Sequence, residues 1–167
     1  PSKFLNEKSF MNALIVLSAI GGSTNGVVHL TAMAGRLGVN VDLKEFDRLT
    51  QDLPMIVDLK PSGLGYMEDL YKAGGSIRIF NELKDFLHLD AILVNGETLG
   101  DEIQKASKWN QDIITTKESP VFKGGSIAVL SGSLAPGCAI IKQSAATSEL
   151  LVHEGKAVVF ENLEDLA

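Results

Sequence analysis

A glycine pair set between two apolar helical patterns limits, more than any other feature, how this chain can fold. Phe10-Met-Asn-Ala-Leu-Ile-Val-Leu-Ser-Ala-Ile20 has the apolar density of a buried helix, and Gly21-Gly22 interrupts it. Glycine takes backbone angles that other residues resist, so the chain can turn sharply there. Ser23, Thr24 and Asn25 follow, each a capable helix N-cap, and a second apolar pattern then begins. A helix opening after such a turn presents free N–H groups and the positive end of its dipole, which suits a carboxylate or phosphate. The commoner use of a loop like this is a capped connection between two core helices.

The first half of the chain reads as mostly helical. Glu7 to Ile20 is predicted helical and buried. Ser23 to Leu37 follows, with Val27, Leu30, Thr31, Ala34 and Leu37 on one face and Gly38 at its end. Asp42 caps a third helix running to about Asp52, with Glu45 placed to close a capping box. Pro54 ends that pattern, Met55 to Leu59 reads as a short strand, and Pro61-Ser-Gly-Leu-Gly65 as a loop. Tyr66 to Lys72 is again helical. Ser76 is expected to cap a further helix from Ile77 to Leu87, with Ile79, Phe80, Leu83 and Leu87 inward.

The second half changes character. Ala91-Ile-Leu-Val94 reads as a strand ending in an Asn95-Gly96 turn, and Thr98 caps a short helix from Leu99 to Ala106. The stretch from Asn110 to Gly125 is polar and holds Pro120 and a glycine pair, as a linker does. Ser126 to Leu130, Ala139 to Lys142 and Ala157 to Phe160 read as short strands rich in branched residues. The fold class is therefore α/β: a helix-rich first part with short strands, followed by the opening strands of a β-rich region.

Charge and composition remove several classes of function. Fifteen Lys and Arg stand against 21 Asp and Glu, a net charge of −6, which argues against nucleic acid or an acidic membrane surface as partner. The apolar run from Ala13 to Ile20 is too short to span a bilayer and suits a buried helix. The N-terminus lacks the basic-then-apolar pattern of a secretion signal, and Pro1 reads as a cut. A cytoplasmic location is the expectation.

Candidate metal and nucleotide sites find little support. Cys138 is the one cysteine, so the chain can build neither an internal disulfide nor a multi-cysteine cluster site. Its expected role is that of a small buried residue at a strand start. No two histidines stand at metal-ligand spacing, and no metal site or catalytic residue is assigned. His29 is expected to be a hydrogen-bonded core histidine, while His88 and His153 are expected to be solvated. Asp58 and Lys60 bracket the Pro-Ser-Gly loop; they either reach a substrate or form an ion pair or cap within it. Glu68-Asp69 opens a helix, where carboxylates are expected for dipole reasons alone. Gly124-Gly125 lacks the following Gly-Lys-Ser/Thr of a phosphate-binding loop.

Four motifs in one order carry a family resemblance. They are Gly21-Gly-Ser-Thr-Asn-Gly-Val-Val-His-Leu30, Asp58-Leu-Lys-Pro-Ser-Gly63, Tyr66-Met-Glu-Asp-Leu70 with Ala73-Gly-Gly75, and Leu134-Ala-Pro136 leading into Ala139-Ile-Ile-Lys142. Together they resemble the dihydroxy-acid dehydratase and 6-phosphogluconate dehydratase family over nearly the whole chain. Lys142-Gln-Ser-Ala-Ala-Thr147, Glu154-Gly-Lys-Ala-Val-Val-Phe-Glu161 and Trp109-Asn110 look more like the branch acting on aldonic (sugar) acids. The family more often has glycine at the position of Cys138.

What the resemblance implies goes further than this chain's residues. It implies loss of water from a 2,3-dihydroxy acid to give a 2-keto acid, with an iron–sulfur cluster and a Mg2+ ion in the full-length parent and no cofactor in this chain. The cluster cysteines, most metal ligands and the catalytic serine of the family lie outside the matching motifs. The chain is accordingly expected to be the middle of such an enzyme and inactive alone. Residues 1–117 would be the end of the family's N-terminal domain, 118–125 a linker, and 126–167 the start of its C-terminal domain. A small-molecule acid is the expected partner of the parent, with homo-oligomers possible. Ser23, Thr24 and Asn25 are the candidate substrate-binding residues. The alternatives are a stand-alone binding or structural module reusing this part of the fold, or a structural fragment with no activity.

Overall fold

The computed structural model describes residues 2–106 and 113–166. It contains six α-helices followed by an antiparallel hairpin. The helices are α1 (Glu7–Ala19), α2 (Thr24–Arg36), α3 (Leu43–Thr50), α4 (Met67–Lys72), α5 (Gly75–Glu82) and α6 (Leu99–Ile103). The strands are β1 (Ile127–Gly132) and β2 (Ala135–Lys142), and single 3-10 turns follow at Gln143–Ala145 and Ser148–Leu150. A helix-rich first part followed by strands is the α/β class that the apolar patterns indicate. Trp109-Asn110 and the start of the polar stretch lie outside the described residues, as do Pro1 and Ala167.

α1 is the central element because its apolar residues occur all round. Met11, Leu14, Ile15 and Ala19 are all buried and join one cluster with Val27 of α2, Phe46 of α3 and Ile127 of β1. Its start is a capping box: Asn6 accepts from the Ser9 N–H at 3.2 Å, and the Ser9 hydroxyl accepts from the Asn6 N–H at 3.0 Å. Its end is a Schellman motif, in which Gly21 takes φ +64°. The Gly22 N–H there reaches back to the Leu17 carbonyl at 2.8 Å, and the Gly21 N–H to that of Ser18 at 3.1 Å. α2 ends the same way, with Gly38 at φ +71° and the Val39 N–H bonded to the Ala34 carbonyl at 2.9 Å.

Residues 55–58 run extended through the middle of the molecule. The Ile56 N–H bonds the Ala19 carbonyl at 2.8 Å, the Thr115 N–H bonds the Ile56 carbonyl at 2.8 Å, and the Asp58 N–H bonds that of Ile113 at 3.1 Å. Met55 pairs with Phe122 and Val57 with Ile114 as isolated bridges, so this segment forms no continuous ladder. Met55, Ile56 and Val57 are all buried, because the chain passes between α1 and the segment at 113–122. The hairpin is tied to the helices at its buried end. The Ser126 hydroxyl donates to the Ser18 carbonyl at 2.6 Å, and the Val129 N–H to the Asp47 carboxylate at 2.7 Å.

Several expectations need correction. The face of α2 that carries Val27 and Ala34 is buried, whereas Leu37 and His29 are exposed. His29 lies two residues from Val27, about 200° round the helix, and so points to solvent rather than into a core. Ser76 does not cap α5; Gly74, at φ +108°, occupies the N-cap, and the helix stops at Glu82. Glu45 does not close a capping box on α3. Asp42 alone accepts from the Lys44 and Glu45 N–H groups, while the Glu45 carboxylate is held by Arg48 at 2.6 Å. That guanidinium keeps Glu45 below its ordinary carboxylate range. Ala91 to Val94 makes one bridge, between Ile92 and Thr98, around a turn at Gly96. Ala157 to Phe160 is exposed and outside the sheet, since a strand needs a partner to satisfy its backbone and none of the described residues supplies one.

Cys138 is also placed differently from expectation. It sits within β2, half-buried, at φ +74°. The irregularity in the hairpin falls beside it: Leu130 pairs with Ala139 but Gly132 already pairs with Ala135, so β2 carries extra residues there. A left-handed backbone at a non-glycine residue costs roughly 1–2 kcal/mol, whereas glycine there costs about 0.4–1 kcal/mol of unfolded-chain entropy. Cys138→Gly is therefore expected to be neutral to stabilising by about 1 kcal/mol, raising Tm by up to about 2–4 °C. Thermal unfolding followed by circular dichroism checks this, and a clear fall in Tm would contradict the strain.

Candidate functional site

Three segments distant in sequence enclose an open cleft of about 800 Å3. One wall is the α1–α2 turn from Ile20 to Thr24, the second the loop from Leu59 to Ser62, and the third runs from Lys142 to Ala146 after β2. Met67, at the start of α4, closes one side.

The turn leaves no space for a side chain at Gly22 and little at Gly21. A Cβ on Gly22 would lie 2.3 Å from Leu17 Cδ1 and 2.8 Å from the Leu17 carbonyl oxygen. A Cβ on Gly21 would meet Met55 Sδ at 2.9 Å. With the turn so fixed, Ser23 becomes the N-cap of α2, and its hydroxyl accepts from the Asn25 N–H at 3.2 Å. Ser23 and Thr24 line the cleft; Asn25 is exposed and is not part of the wall.

Lys142 crosses from the hairpin to the turn, donating to the Gly21 carbonyl at 2.6 Å, and it lines the cleft. Lys60 faces the cleft from the opposite loop. Its ammonium donates to the Tyr66 hydroxyl and stands 4.0 Å from the centre of that ring. The Lys60–Pro61 peptide bond is cis. The hydroxyl oxygen of Ser144 is buried and has no hydrogen-bond partner among the described residues.

The other weighed residues lie elsewhere. Asp58 serves its own loop, accepting from the Leu64 N–H at 3.2 Å, so of the pair bracketing Pro61 only Lys60 lines the cleft. Asp69 accepts from the Tyr66 N–H at 2.8 Å and Glu68 pairs with Lys72 at 2.6 Å, both within or beside α4. His88 and His153 are exposed. Among the described residues no group of three or more His, Cys, Asp and Glu comes together that could hold a metal ion. Ser144 carried no signal of its own in the sequence, and Lys142 was visible only as part of a longer motif.

Two family models match the chain in order. The family model described as dihydroxy-acid/6-phosphogluconate dehydratase N-terminal matches residues 1–102, and its C-terminal counterpart matches residues 112–167. The L-arabinonate dehydratase of Rhizobium leguminosarum bv. trifolii is 46% identical over 167 residues, covering 99% of this chain and 29% of the relative. The L-arabonate dehydratase of Azospirillum brasilense is 45% identical, covering 98% of this chain and 28% of the relative. Dihydroxy-acid dehydratase 1 of Methanosarcina acetivorans is 41% identical, covering 99% of this chain and 31% of the relative. The chain thus spans about three-tenths of the length of the curated relatives it matches.

Two glycines in this region should respond oppositely to the same substitution. Gly22→Ala forces a methyl group against Leu17 and is expected to destabilise by about 1–3 kcal/mol. Gly35→Ala, in α2, meets nothing within 4 Å and is expected to stabilise by about 0.5–1 kcal/mol through helix propensity. Urea titrations of the two variants measure both signs; equal effects would show that the packing against Leu17 does not constrain the turn.

Proposed function

The chain belongs to the dihydroxy-acid/6-phosphogluconate dehydratase family, and from that premise we propose that it forms part of an enzyme that removes water from a 2,3-dihydroxy sugar acid. The observation that carries this reading is the match of both family models, in order, along one chain. Identity to the two arabinonate dehydratases, 46% and 45%, exceeds the 41% to the dihydroxy-acid dehydratase, which favours a sugar acid over a branched-chain acid. The reading extends to a cytoplasmic enzyme that assembles as a homo-oligomer. Among the described residues no helix is long and apolar enough to cross a membrane.

The chemistry sets clear demands on the site. The reaction breaks the C2–H and C3–OH bonds, releases water and leaves an enol that becomes the 2-keto acid. Taking a proton from the carbon beside a carboxylate builds negative charge next to negative charge, so the transition state needs cations and N–H donors around it. In this reading Ser23, Thr24 and Asn25 form the substrate seat of this chain. The first two touch the acid, and the Asn25 N–H holds the Ser23 hydroxyl in place.

An iron–sulfur cluster and Mg2+ belong to the same reading as cofactors of the full-length enzyme. The residues present here do not fit either group, because Cys138 is the one thiol and no metal-ligating cluster forms among the described residues. This chain's part is to shape the cleft and orient the acid.

Keto-acid formation by the full-length enzyme tests the reading. L-Arabinonate is expected to react with higher kcat/KM than a branched-chain 2,3-dihydroxy acid, and no keto acid from any aldonic acid would overturn the proposal. In that enzyme, Thr24→Val should raise KM about 10-fold, the loss of one hydrogen bond to the substrate, with Tm unchanged.

A further inference from the structure

The cleft gathers cationic side chains in an acidic chain. The whole chain is acidic, at −6, yet the cleft is lined by two lysines and by no aspartate or glutamate. Four other lysines on the described surface pair with carboxylates: Lys8 with Asp90, Lys72 with Glu68, Lys105 with Glu97 and Glu102, and Lys117 with Asp85. Lys142 instead bonds a neutral carbonyl and Lys60 a neutral phenol. An ammonium has three donors, so Lys142 keeps two after the Gly21 contact. Ser144 lines the same cleft, and its buried hydroxyl has no hydrogen-bond partner among the described residues.

Resting on the reading above, we propose that Lys142 is a substrate-binding residue that holds the carboxylate of a polyhydroxy acid. Ser144 supplies a second donor and Lys60 adds positive charge from the facing loop. Lys142 serves two ends with one side chain: it ties the hairpin to the Gly21 turn and sets a cation beside the start of α2. A carboxylate has about four lone-pair positions, so Lys142 and Ser144 on one oxygen leave the other open to groups outside this chain. The hydroxyls of Ser23, Thr24 and Ser62 on the same walls suit a hydroxylated tail.

Binding to the 167-residue chain tests the proposal without requiring turnover. Gluconate is the probe, sorbitol its uncharged counterpart and inorganic phosphate the competing anion, each followed by amide nuclear magnetic resonance shifts. Gluconate is expected to give saturable shifts at Gly21, Gly22, Thr24 and Ser144 that sorbitol does not. Lys142→Met should weaken gluconate binding about 10-fold or more, as loss of a charge-assisted hydrogen bond does. Lys142→Arg should restore most of it, which separates lost charge from a displaced turn. No saturation by gluconate, equal shifts with sorbitol, tighter binding of phosphate, or unaltered binding by Lys142→Met would each overturn it. If the full-length enzyme forms keto acid while Lys142→Met leaves gluconate binding intact, only this inference fails. If gluconate binds here and no aldonic acid is dehydrated, only the dehydratase reading fails.

Discussion

The last carbonyls of α1 are where the molecule is joined together. A helix end leaves carbonyl groups without partners inside the helix, and here each is taken by a different part of the chain. Leu17 accepts from Gly22, Ser18 from Gly21 and from the Ser126 hydroxyl, and Ala19 from Ile56. One step further, Gly21 accepts from the Lys142 ammonium. The turn, the extended central segment, the root of the hairpin and one wall of the cleft are thus positioned by a single helix terminus. Burial makes this arrangement stringent: Ser18 and Ser126 are fully buried, and a buried polar group without its partner costs about 1–3 kcal/mol.

Packing around that terminus explains why so much of the chain is ordered with so little regular sheet. The segment at 55–58 has both backbone edges bonded, yet to α1's end on one residue and to 113–122 on others. It behaves as a buried spacer rather than as a strand of a sheet. The hairpin is buried at Ile127 and becomes exposed toward Gly132, because only its root meets the helices. Beyond it, residues 151–166 are exposed throughout, including Val152, Val158, Val159 and Leu163.

The cleft follows from the same joints. Its three walls belong to segments about 40 and 80 residues apart, and what holds two of them together is the Lys142 to Gly21 bond. The role proposed for Lys142 requires this cleft to favour anions over neutral analogues.

Local chemistry made much of this legible from the residues alone. The ends of α1 and α2 were readable because a Schellman turn demands glycine at one position, and the caps at Ser23, Asp42 and Thr98 because a short polar side chain satisfies an N–H two or three residues ahead. Family membership was readable from motifs whose order survives independently of the fold. Failures occurred where a non-local partner decides: Ala157 to Phe160 has strand-forming residues and no strand beside it among the described residues, His29 has apolar neighbours in sequence but lies on the solvent side of α2, and Ser76 lost the cap to Gly74. The cleft itself could not be read in advance. The glycine turns at Gly21 and Gly38 and the caps at Ser23, Asp42 and Thr98 are set by interactions within a few residues, so the sequence alone determined them. Which cation meets which turn depends on closing loops of tens of residues around a shared core, and only the tertiary structure decided that Lys142, Lys60 and Thr24 face the same space.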